Sequence, residues 1–304
     1  MSSLPVSSLP ESSSTVRTVV AADTRFLVRE EGSGHAGVPV LLLHGVPETS
    51  TCWRHHAAPL ADGRRVLAPD LPGLGGSAYT GPYDVASLVR QLAALVDQEV
   101  GGPVDVVGHD WGGSLALAGT RPDLVRRLAV LNAPYRSVPL LRAAHIPFFA
   151  LPLVPELLFR AAGRRAVDAM FSVAWKSPVP LEQEALAEYR AAYSDPARVQ
   201  AMLGYYRAAA RPRARAVLSR RATPAGDPKV HAEAMLVLWG AKDPVLPIRT
   251  GETVVRDLGS DAVMVTVPEA GHFVMEEAPA VVLEVLRDFL AVDLKPPYAP
   301  VAHP

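Results

Sequence analysis

The stretch Val106-Val107-Gly108-His109-Asp110-Trp111-Gly112-Gly113 decides the fold of this chain. The apolar run at residues 104–107 predicts a buried strand, and the small residues at 114–120 predict a helix. Glycines on both sides of Asp110 leave room for the strand and the helix to pack closely around a sharp turn. The segment therefore predicts a strand, a strained turn and a helix, with a carboxylate at the turn.

Two interpretations of Asp110 follow from this position. Aspartate is a favoured N-cap residue, so Asp110 could simply begin the helix. Alternatively it is a nucleophile, and the glycine pattern around it favours that interpretation. A carboxylate that attacks an acyl group forms an anhydride, whereas one that attacks an sp3 carbon displaces a leaving group and forms an ordinary ester. A catalytic Asp110 therefore predicts an alkylating electrophile as substrate.

The composition limits the classes of partner. The chain has 304 residues, with 30 Lys and Arg against 31 Asp and Glu, and no concentrated basic block. We therefore expect neither nucleic acid nor a membrane surface as partner, but a small apolar molecule and water. The single cysteine, Cys52, excludes an intramolecular disulfide and fits a reducing, cytoplasmic location. The composition is compatible with a monomer or a homodimer.

Strand and helix signals alternate along most of the chain. Residues 16–134 and 229–294 show this βα order, which predicts an α/β core with a mostly parallel, eight-stranded sheet flanked by helices. Residues 135–228 lose the strand signals and predict an inserted helical cap. The Ser- and Pro-rich residues 1–15 predict a disordered tail, and the proline-rich residues 295–304 a loose one. The apolar run at 145–159 is too short, and too interrupted by proline, to span a bilayer.

Asp110 has two candidate partners at the predicted carboxyl ends of later strands. Asp243 follows the strand at residues 234–238, and His272 follows the strand at 263–267. Each could be structural by itself, Asp243 as a turn residue and His272 as a helix-entry residue. Together, in the order nucleophile, acid, histidine, they predict a catalytic triad. Glu276 and Glu277, a few residues later, are interpreted as acids of the first helical turn, stabilised by the helix dipole.

These motifs resemble the α/β-hydrolase superfamily, and an aspartate at the turn resembles the epoxide hydrolases within it. In that family the loop His44-Gly45-Val46-Pro47-Glu48 implies an oxyanion hole made by the backbone N–H groups of Val46 and Trp111, with a cis peptide before Pro47. His44 and Pro47 then border the substrate pocket. We interpret His44 as a histidine that supports the loop rather than as the base.

The cap carries two segments that also resemble epoxide hydrolases. The segment Met202-Leu203-Gly204-Tyr205-Tyr206-Arg207 implies that Tyr206 points its hydroxyl into the pocket, while Tyr205 faces another way. The segment that begins at His145 resembles the one that usually carries a second donor tyrosine, and it implies that His145 takes that role here. Both residues could alternatively be packing residues. The nearby apolar side chains predict an apolar pocket, and they are Phe148, Phe149, Leu151, Leu153 and Trp175.

Three chemistries use an aspartate at this turn, and they differ in what stabilises the leaving atom. Epoxide opening needs a proton donor, which Tyr206 and His145 supply. Haloalkane dehalogenation needs N–H donors for a halide, for which Trp111 and Trp175 are candidates. Haloacetate dehalogenation needs arginines for the substrate carboxylate, but Trp111 and Ser114 occupy the expected positions. A non-catalytic ligand-binding module is a further alternative. We expect an epoxide hydrolase, with no cofactor and no metal.

Overall fold

The core of the protein is an eight-stranded sheet, seen in a computed structural model that describes residues 14–32, 37–121, 123–135, 145–219, 230–259 and 262–291. The side chains of residues 212–219 are outside this description. The strands are β1 (Thr15–Ala21), β2 (Thr24–Glu31), β3 (Val40–Leu43), β4 (Val66–Pro69), β5 (Val104–His109), β6 (Val125–Leu131), β7 (Ala234–Gly240) and β8 (Ala262–Val267).

The strand order in the sheet is β1-β2-β4-β3-β5-β6-β7-β8. Strand β2 pairs antiparallel with both of its neighbours, and all pairs from β4 to β8 are parallel. Strand β3 is apolar and buried along its whole length, as expected for a central parallel strand that is covered on both faces. The predicted α/β fold with a mostly parallel, eight-stranded sheet is confirmed.

Helices flank the sheet and fill the insertion between β6 and β7. The core helices are α1 (Ala57–Leu60), α2 (Val85–Glu99), α3 (Trp111–Ala118), α9 (Ile248–Leu258), α10 (Val274–Glu277) and α11 (Pro279–Leu290). The insertion, which we call the cap, contains α4 (His145–Ala150), α5 (Val154–Ala162), α6 (Arg164–Ala174), α7 (Gln183–Ala192) and α8 (Pro196–Ser219). In α2, Leu88, Leu92 and Leu95 recur at helical spacing and are buried against the core.

Two predicted helices differ from those observed. Helix α3 begins at Trp111, three residues before its predicted start, so that Asp110 alone forms the turn after β5. The start was missed because glycine is a poor helix former. Gly112 is required there by packing, since a Cβ on it would lie 2.5 Å from the Leu43 carbonyl oxygen. The predicted helix at residues 53–60 is a 3-10 turn, Ser50–Trp53, followed by the single turn of α1.

Some expectations concern residues that the structure does not describe. The predicted tail at 1–15 lies outside the described part of the chain except for its last two residues, and β1 begins at Thr15. The tail at 295–304 lies wholly outside it. The predicted cap limits, 135–228, stay a prediction because residues 136–144 and 220–229 are not described. In the described chain, no helix is long and apolar enough to cross a bilayer.

Candidate active site

Asp110 sits in a strained turn at the carboxyl end of β5. Its backbone has φ 48° and ψ −116°, in the positive-φ region that residues with a Cβ rarely adopt. The carboxylate does not make the N-cap hydrogen bond to the second or third residue of the helix that follows. Instead, the Val46 N–H donates to its Oδ1 atom at 3.2 Å. The geometry therefore does not support the helix-cap interpretation.

The structure brings His272 and Asp243 to Asp110. The Nδ1 atom of His272 lies 2.8 Å from Oδ2 of Asp243, and its Nε2 atom lies 3.6 Å from Oδ2 of Asp110. His272 follows β8 and Asp243 follows β7, so both side chains reach the same edge of the sheet as Asp110. Because a carboxylate only accepts, Nδ1 of His272 carries a proton towards Asp243 and Nε2 faces Asp110.

Asp243 is held in place from two directions. The Val245 and Leu246 N–H groups donate to its Oδ1 atom at 2.7 and 2.8 Å. The Asn132 amide donates to Oδ2 at 2.7 Å. Asn132 follows β6 and was not among the predicted site residues. Its position directly after a buried strand was the feature of the sequence that could have identified it as a site residue.

The three side chains form a charged network. Burial, the largest influence, lowers the pKa of His272, but the charge of Asp243 and the hydrogen bonds to Asp110 and Asp243 outweigh it and raise this pKa well above its usual value. Burial likewise raises the pKa of Asp110, but His272, through its hydrogen bond and charge, and the Trp111 N–H hold it below the usual range. At neutral pH Asp110 is therefore a carboxylate beside an imidazolium.

Both predicted oxyanion donors face this carboxylate. The Val46 N–H donates to Asp110, and the hydrogen bond from the Trp111 backbone lowers the pKa of Asp110. The Val46–Pro47 peptide is cis, as the resemblance implied, and Pro47 is buried in the loop. These two amides therefore lie where an oxyanion on the Asp110 carbonyl would need stabilisation.

His44 supports the oxyanion loop, and its placement beside the pocket stays a prediction. Its ring is fully buried, with Nδ1 2.7 Å from the Gly45 carbonyl oxygen and Nε2 2.9 Å from the Leu71 backbone nitrogen. Nε2 must accept from Leu71, so Nδ1 is the donor and the ring is neutral. With both nitrogens bound to the backbone, His44 has no polar atom free for a substrate.

Tyr206 and His145 belong to the cap and lie close enough to Asp110 for its charge to act on both. Their ring centroids lie 6.0 Å apart, and the Phe149 ring is 5.0 Å from that of Tyr206. Burial and the Asp110 charge raise the pKa of Tyr206, against a hydrogen bond from Trp111 that lowers it. Burial lowers the pKa of His145, against the charge of Asp110. Tyr206 is therefore a protonated phenol and His145 a neutral imidazole at pH 7, and each can donate one proton.

The other cap tyrosines that could have been donors are bound elsewhere. Tyr205 donates its hydroxyl to the Pro72 carbonyl at 2.8 Å and so faces away from the site, as predicted. Tyr193 donates to the Glu48 carbonyl at 3.3 Å, and Tyr189 donates to the Glu276 carboxylate. The Tyr206 hydroxyl, in contrast, accepts from the Trp111 side chain beside the nucleophile, and burial and the Asp110 charge raise its pKa.

Several predicted pocket residues lie in different surroundings from those expected. The Trp175 indole N–H donates to the carbonyl oxygens of Ser177 and Val179, at 3.1 and 3.0 Å, so it is not directed to a leaving group. Leu151 and Leu153 are 46% and 71% exposed because they lie in the loop between α4 and α5. Phe149 is buried against Tyr206, and the Phe148 ring packs on it with centroids 5.5 Å apart.

Glu48 and His109 form a buried pair that the sequence reasoning missed. Oε2 of Glu48 accepts from the Gly45 N–H at 3.1 Å and lies 2.7 Å from Nδ1 of His109. The other ring nitrogen of His109 donates to the His272 carbonyl at 2.9 Å. Since His109 precedes Asp110 in the chain, this pair ties the oxyanion loop, the turn and the His272 loop together. The two residues flank predicted site residues, and no other signal marks them.

Comparison with known proteins shows the family of this chain. The model of the alpha/beta hydrolase family matches residues 40–285. The protein belongs to the α/β-hydrolase family. The AB hydrolase superfamily protein YfhM of Bacillus subtilis is 29% identical, over 84% of this chain and 90% of that protein.

The resemblance to epoxide hydrolases is also confirmed. A soluble epoxide hydrolase of Corynebacterium sp. strain C12 is 28% identical, over 84% of this chain and 91% of that protein. The crystal structure of epoxide hydrolase A from Mycobacterium thermoresistibile superposes with a TM-score of 0.75 at 27% identity, covering 91% of this chain and 98% of that one.

The raised pKa of His272 predicts how stability depends on pH. Below the unfolded-state pKa of about 6.5, both states hold the proton, and the stabilisation by Asp243 and Asp110 is present in full. At higher pH only the folded state holds it, so the free energy of unfolding falls by about 1.4 kcal/mol per pH unit until the folded-state pKa is passed.

Urea unfolding of the wild type and of His272→Gln, at a series of pH values above about 6.5, measures this loss. The wild type should lose stability more steeply than the variant. Parallel curves for the two proteins would contradict a charged His272 in the folded state.

Proposed function

We propose that the protein is an epoxide hydrolase that converts an apolar epoxide to a vicinal diol through an ester on Asp110. The observation that carries this proposal is a largely buried carboxylate, Asp110, whose charge acts on two proton-bearing groups of the cap, Tyr206 and His145, and which lies 3.6 Å from the imidazole of His272. Ring opening needs a nucleophile and a donor on opposite sides of one C–O bond.

In the first step Asp110 attacks one epoxide carbon. A bond forms between its carboxylate oxygen and that carbon, and the C–O bond of the ring breaks with its electron pair moving to oxygen. Tyr206 or His145 donates a proton to this oxygen, giving a hydroxyalkyl ester. Because Asp110 is already ionised, the step needs no base.

Ester formation prepares His272 for the second step. The ester carries no charge, so the contribution of the Asp110 carboxylate to the raised pKa of His272 is lost and that pKa falls. The proton that His272 gives up restores the phenol or imidazole that donated in the first step.

The neutral His272 then takes a proton from water, and the resulting hydroxide attacks the ester carbonyl carbon. The N–H groups of Val46 and Trp111 stabilise the oxyanion. The bond between the ester carbonyl carbon and the alkyl oxygen then breaks, and that oxygen takes the proton held by His272 and leaves as the diol. The acid proton of Asp110 passes to His272, which restores the carboxylate beside an imidazolium.

Two observations support epoxides over halogenated substrates. The Trp175 N–H is already bound to backbone carbonyls, so it does not serve a halide. Ser114, where a haloacetate enzyme is expected to carry an arginine, donates its hydroxyl to the Pro134 carbonyl at 2.9 Å. The aromatic contacts of Tyr206 with Trp111 and Phe149 favour an apolar substrate.

A small substrate panel tests the proposed reaction. We expect diol release from aryl and alkyl epoxides, and no significant halide release from bromoalkanes or fluoroacetate, measured by chromatography and a halide electrode. Halide release together with no conversion of epoxides would identify a dehalogenase and overturn the proposal. Tight binding of these compounds without turnover of either class would favour a ligand-binding module.

The role of Asp110 is tested by trapping the ester. In His272→Gln the first step remains but the second fails, so intact-protein mass spectrometry should show a gain of one substrate mass. Peptide mapping should place it on the peptide that contains Asp110. The control is Asp110→Asn, which should keep its fold by circular dichroism and gain no mass. If His272→Gln gains no mass from an epoxide that the wild type hydrolyses, the assigned roles are wrong.

Neighbouring tyrosines provide a matched test of the donor. Tyr206→Phe should slow ester formation by roughly 10² to 10⁴, the effect of losing a positioned general acid. Tyr205→Phe removes a hydroxyl that is bound to the Pro72 carbonyl, so it should cost about 1 kcal/mol of stability and leave ester formation nearly unchanged. Single-turnover rates and urea unfolding measure both effects. Equal rates in the two variants would show that Tyr206 is not the donor.

A further inference from the structure

Glu277 accepts four backbone hydrogen bonds, which the helix-dipole interpretation of this residue did not foresee. Its Oε2 atom accepts from the N–H groups of Lys176, Ser177 and Gly271, at 2.7, 2.8 and 2.9 Å. Its Oε1 atom accepts from the Phe273 N–H at 3.1 Å. The carboxylate is buried at the end of α10. It therefore acts as a multiple acceptor rather than as a surface acid at a helix start.

The four donors belong to two separate segments. Lys176 and Ser177 follow α6 in the cap, whereas Gly271 and Phe273 flank the candidate base, His272, in the loop after β8. The two segments also touch directly, since the His272 N–H donates to the Ala174 carbonyl at 3.2 Å.

The contact between the two segments is tight. A Cβ at Gly271 would lie 2.4 Å from the Ala174 carbonyl oxygen, closer than real Cβ atoms approach. Glu277 thus joins the cap to both sides of His272, at a place where the two backbones are in direct contact.

We infer that Glu277 is a positioning residue that fixes the His272 loop against the cap and thereby sets the rate of ester hydrolysis. This inference rests on the proposed function for its kinetic part. Water activation requires the imidazole within hydrogen-bond reach of the attacked ester, and a displacement of about 1 Å can cost about 10²-fold in rate. Ester formation does not use His272 as a base, so it is less sensitive to the same displacement.

Glutamine at position 277 removes the interaction without removing bulk. A carboxylate can accept from all four N–H groups, but a side-chain amide has one accepting oxygen and an NH2 group that only donates. In Glu277→Gln, the NH2 group therefore meets at least one backbone N–H. At least one of these backbone N–H groups then loses its acceptor inside the protein, where an unpaired N–H is costly.

The adjacent residue provides a matched control. Glu276 is also buried, but its carboxylate oxygen Oε2 lies 2.7 Å from Nη2 of Arg54, and the Tyr189 hydroxyl donates to the same carboxylate. Among the hydrogen bonds and ion pairs of the described residues, none joins this carboxylate to the backbone of the His272 loop. Burial raises the pKa of Glu276, against the guanidinium of Arg54. Glu276→Gln should therefore destabilise the protein by weakening a buried ion pair. The substitution should leave the His272 loop fixed against the cap.

The test compares the two half-reactions in both variants. Rapid quench with mass spectrometry gives the rates of ester formation and ester hydrolysis on Asp110. In Glu277→Gln we expect hydrolysis to slow by about 10- to 100-fold, so that the ester accumulates, while formation changes far less. In Glu276→Gln the ratio of the two rates should stay at the wild-type value. A purely structural role for Glu277 predicts an unchanged ratio in both variants, and that result would overturn the inference.

Amide hydrogen exchange provides a readout that does not depend on the reaction. Exchange in peptides containing residues 176–177 and 271–273 should be faster in Glu277→Gln than in Glu276→Gln. If the wild type neither hydrolyses epoxides nor forms the ester, the proposed function fails, while this measurement still tests the link. Unchanged exchange in both peptides would refute the link itself.

A second variant covers the case in which Glu277→Gln does not fold. Glu277→Asp keeps the charge but shortens the side chain by one CH2, so it cannot reach both segments at once. It should show the same accumulation of ester and the same faster exchange in one of the two peptides. Wild-type values for both quantities in Glu277→Asp would contradict the inference.

Discussion

A negative charge on Asp110, which lies in a backbone turn with its side chain only 14% exposed, is the constraint on which the rest of the structure depends. Burial by itself would raise the pKa of Asp110 and so favour the uncharged acid. His272 and the backbone N–H groups of Val46 and Trp111 reverse that preference. These groups come from the loop after β8, the loop after β3 and the start of α3. The parallel strand order brings all of them to one edge of the sheet.

The same physical solution recurs around the site for other buried carboxylates. Asp243, Glu48 and Glu277 each accept from backbone N–H groups, and their remaining partners are amide or imidazole groups close by. Burying a carboxylate is costly unless donors surround it. Backbone donors are already ordered by the fold, so they add little side-chain entropy cost. In the loops that carry Val46, Asp243 and His272, a buried carboxylate thus binds backbone N–H groups and helps to fix the loop.

The sequence predicted the parts of the site that obey local rules. Asp110, Asp243 and His272 each follow a predicted strand, and the end of a parallel strand defines where a side chain will lie. Glycine neighbours and apolar runs likewise predicted the eight strands. The orientation of the Trp175 N–H and the role of Glu277 could not be predicted because their partners are backbone groups. Glu277 and Lys176 are 101 positions apart in the sequence, and no residue type predicts a hydrogen bond between a side chain and so distant a backbone group.

The contact between Glu277 and the cap also has a consequence for how such a protein can diversify. Lys176 and Ser177 bind this carboxylate only through their backbone N–H groups. The two hydrogen bonds are therefore compatible with many different side chains at these positions. Many different caps could therefore be exchanged over the same core, provided that their backbone follows the same path at this point. Substrate preference can then change with the cap, while the residues of the candidate active site keep their positions.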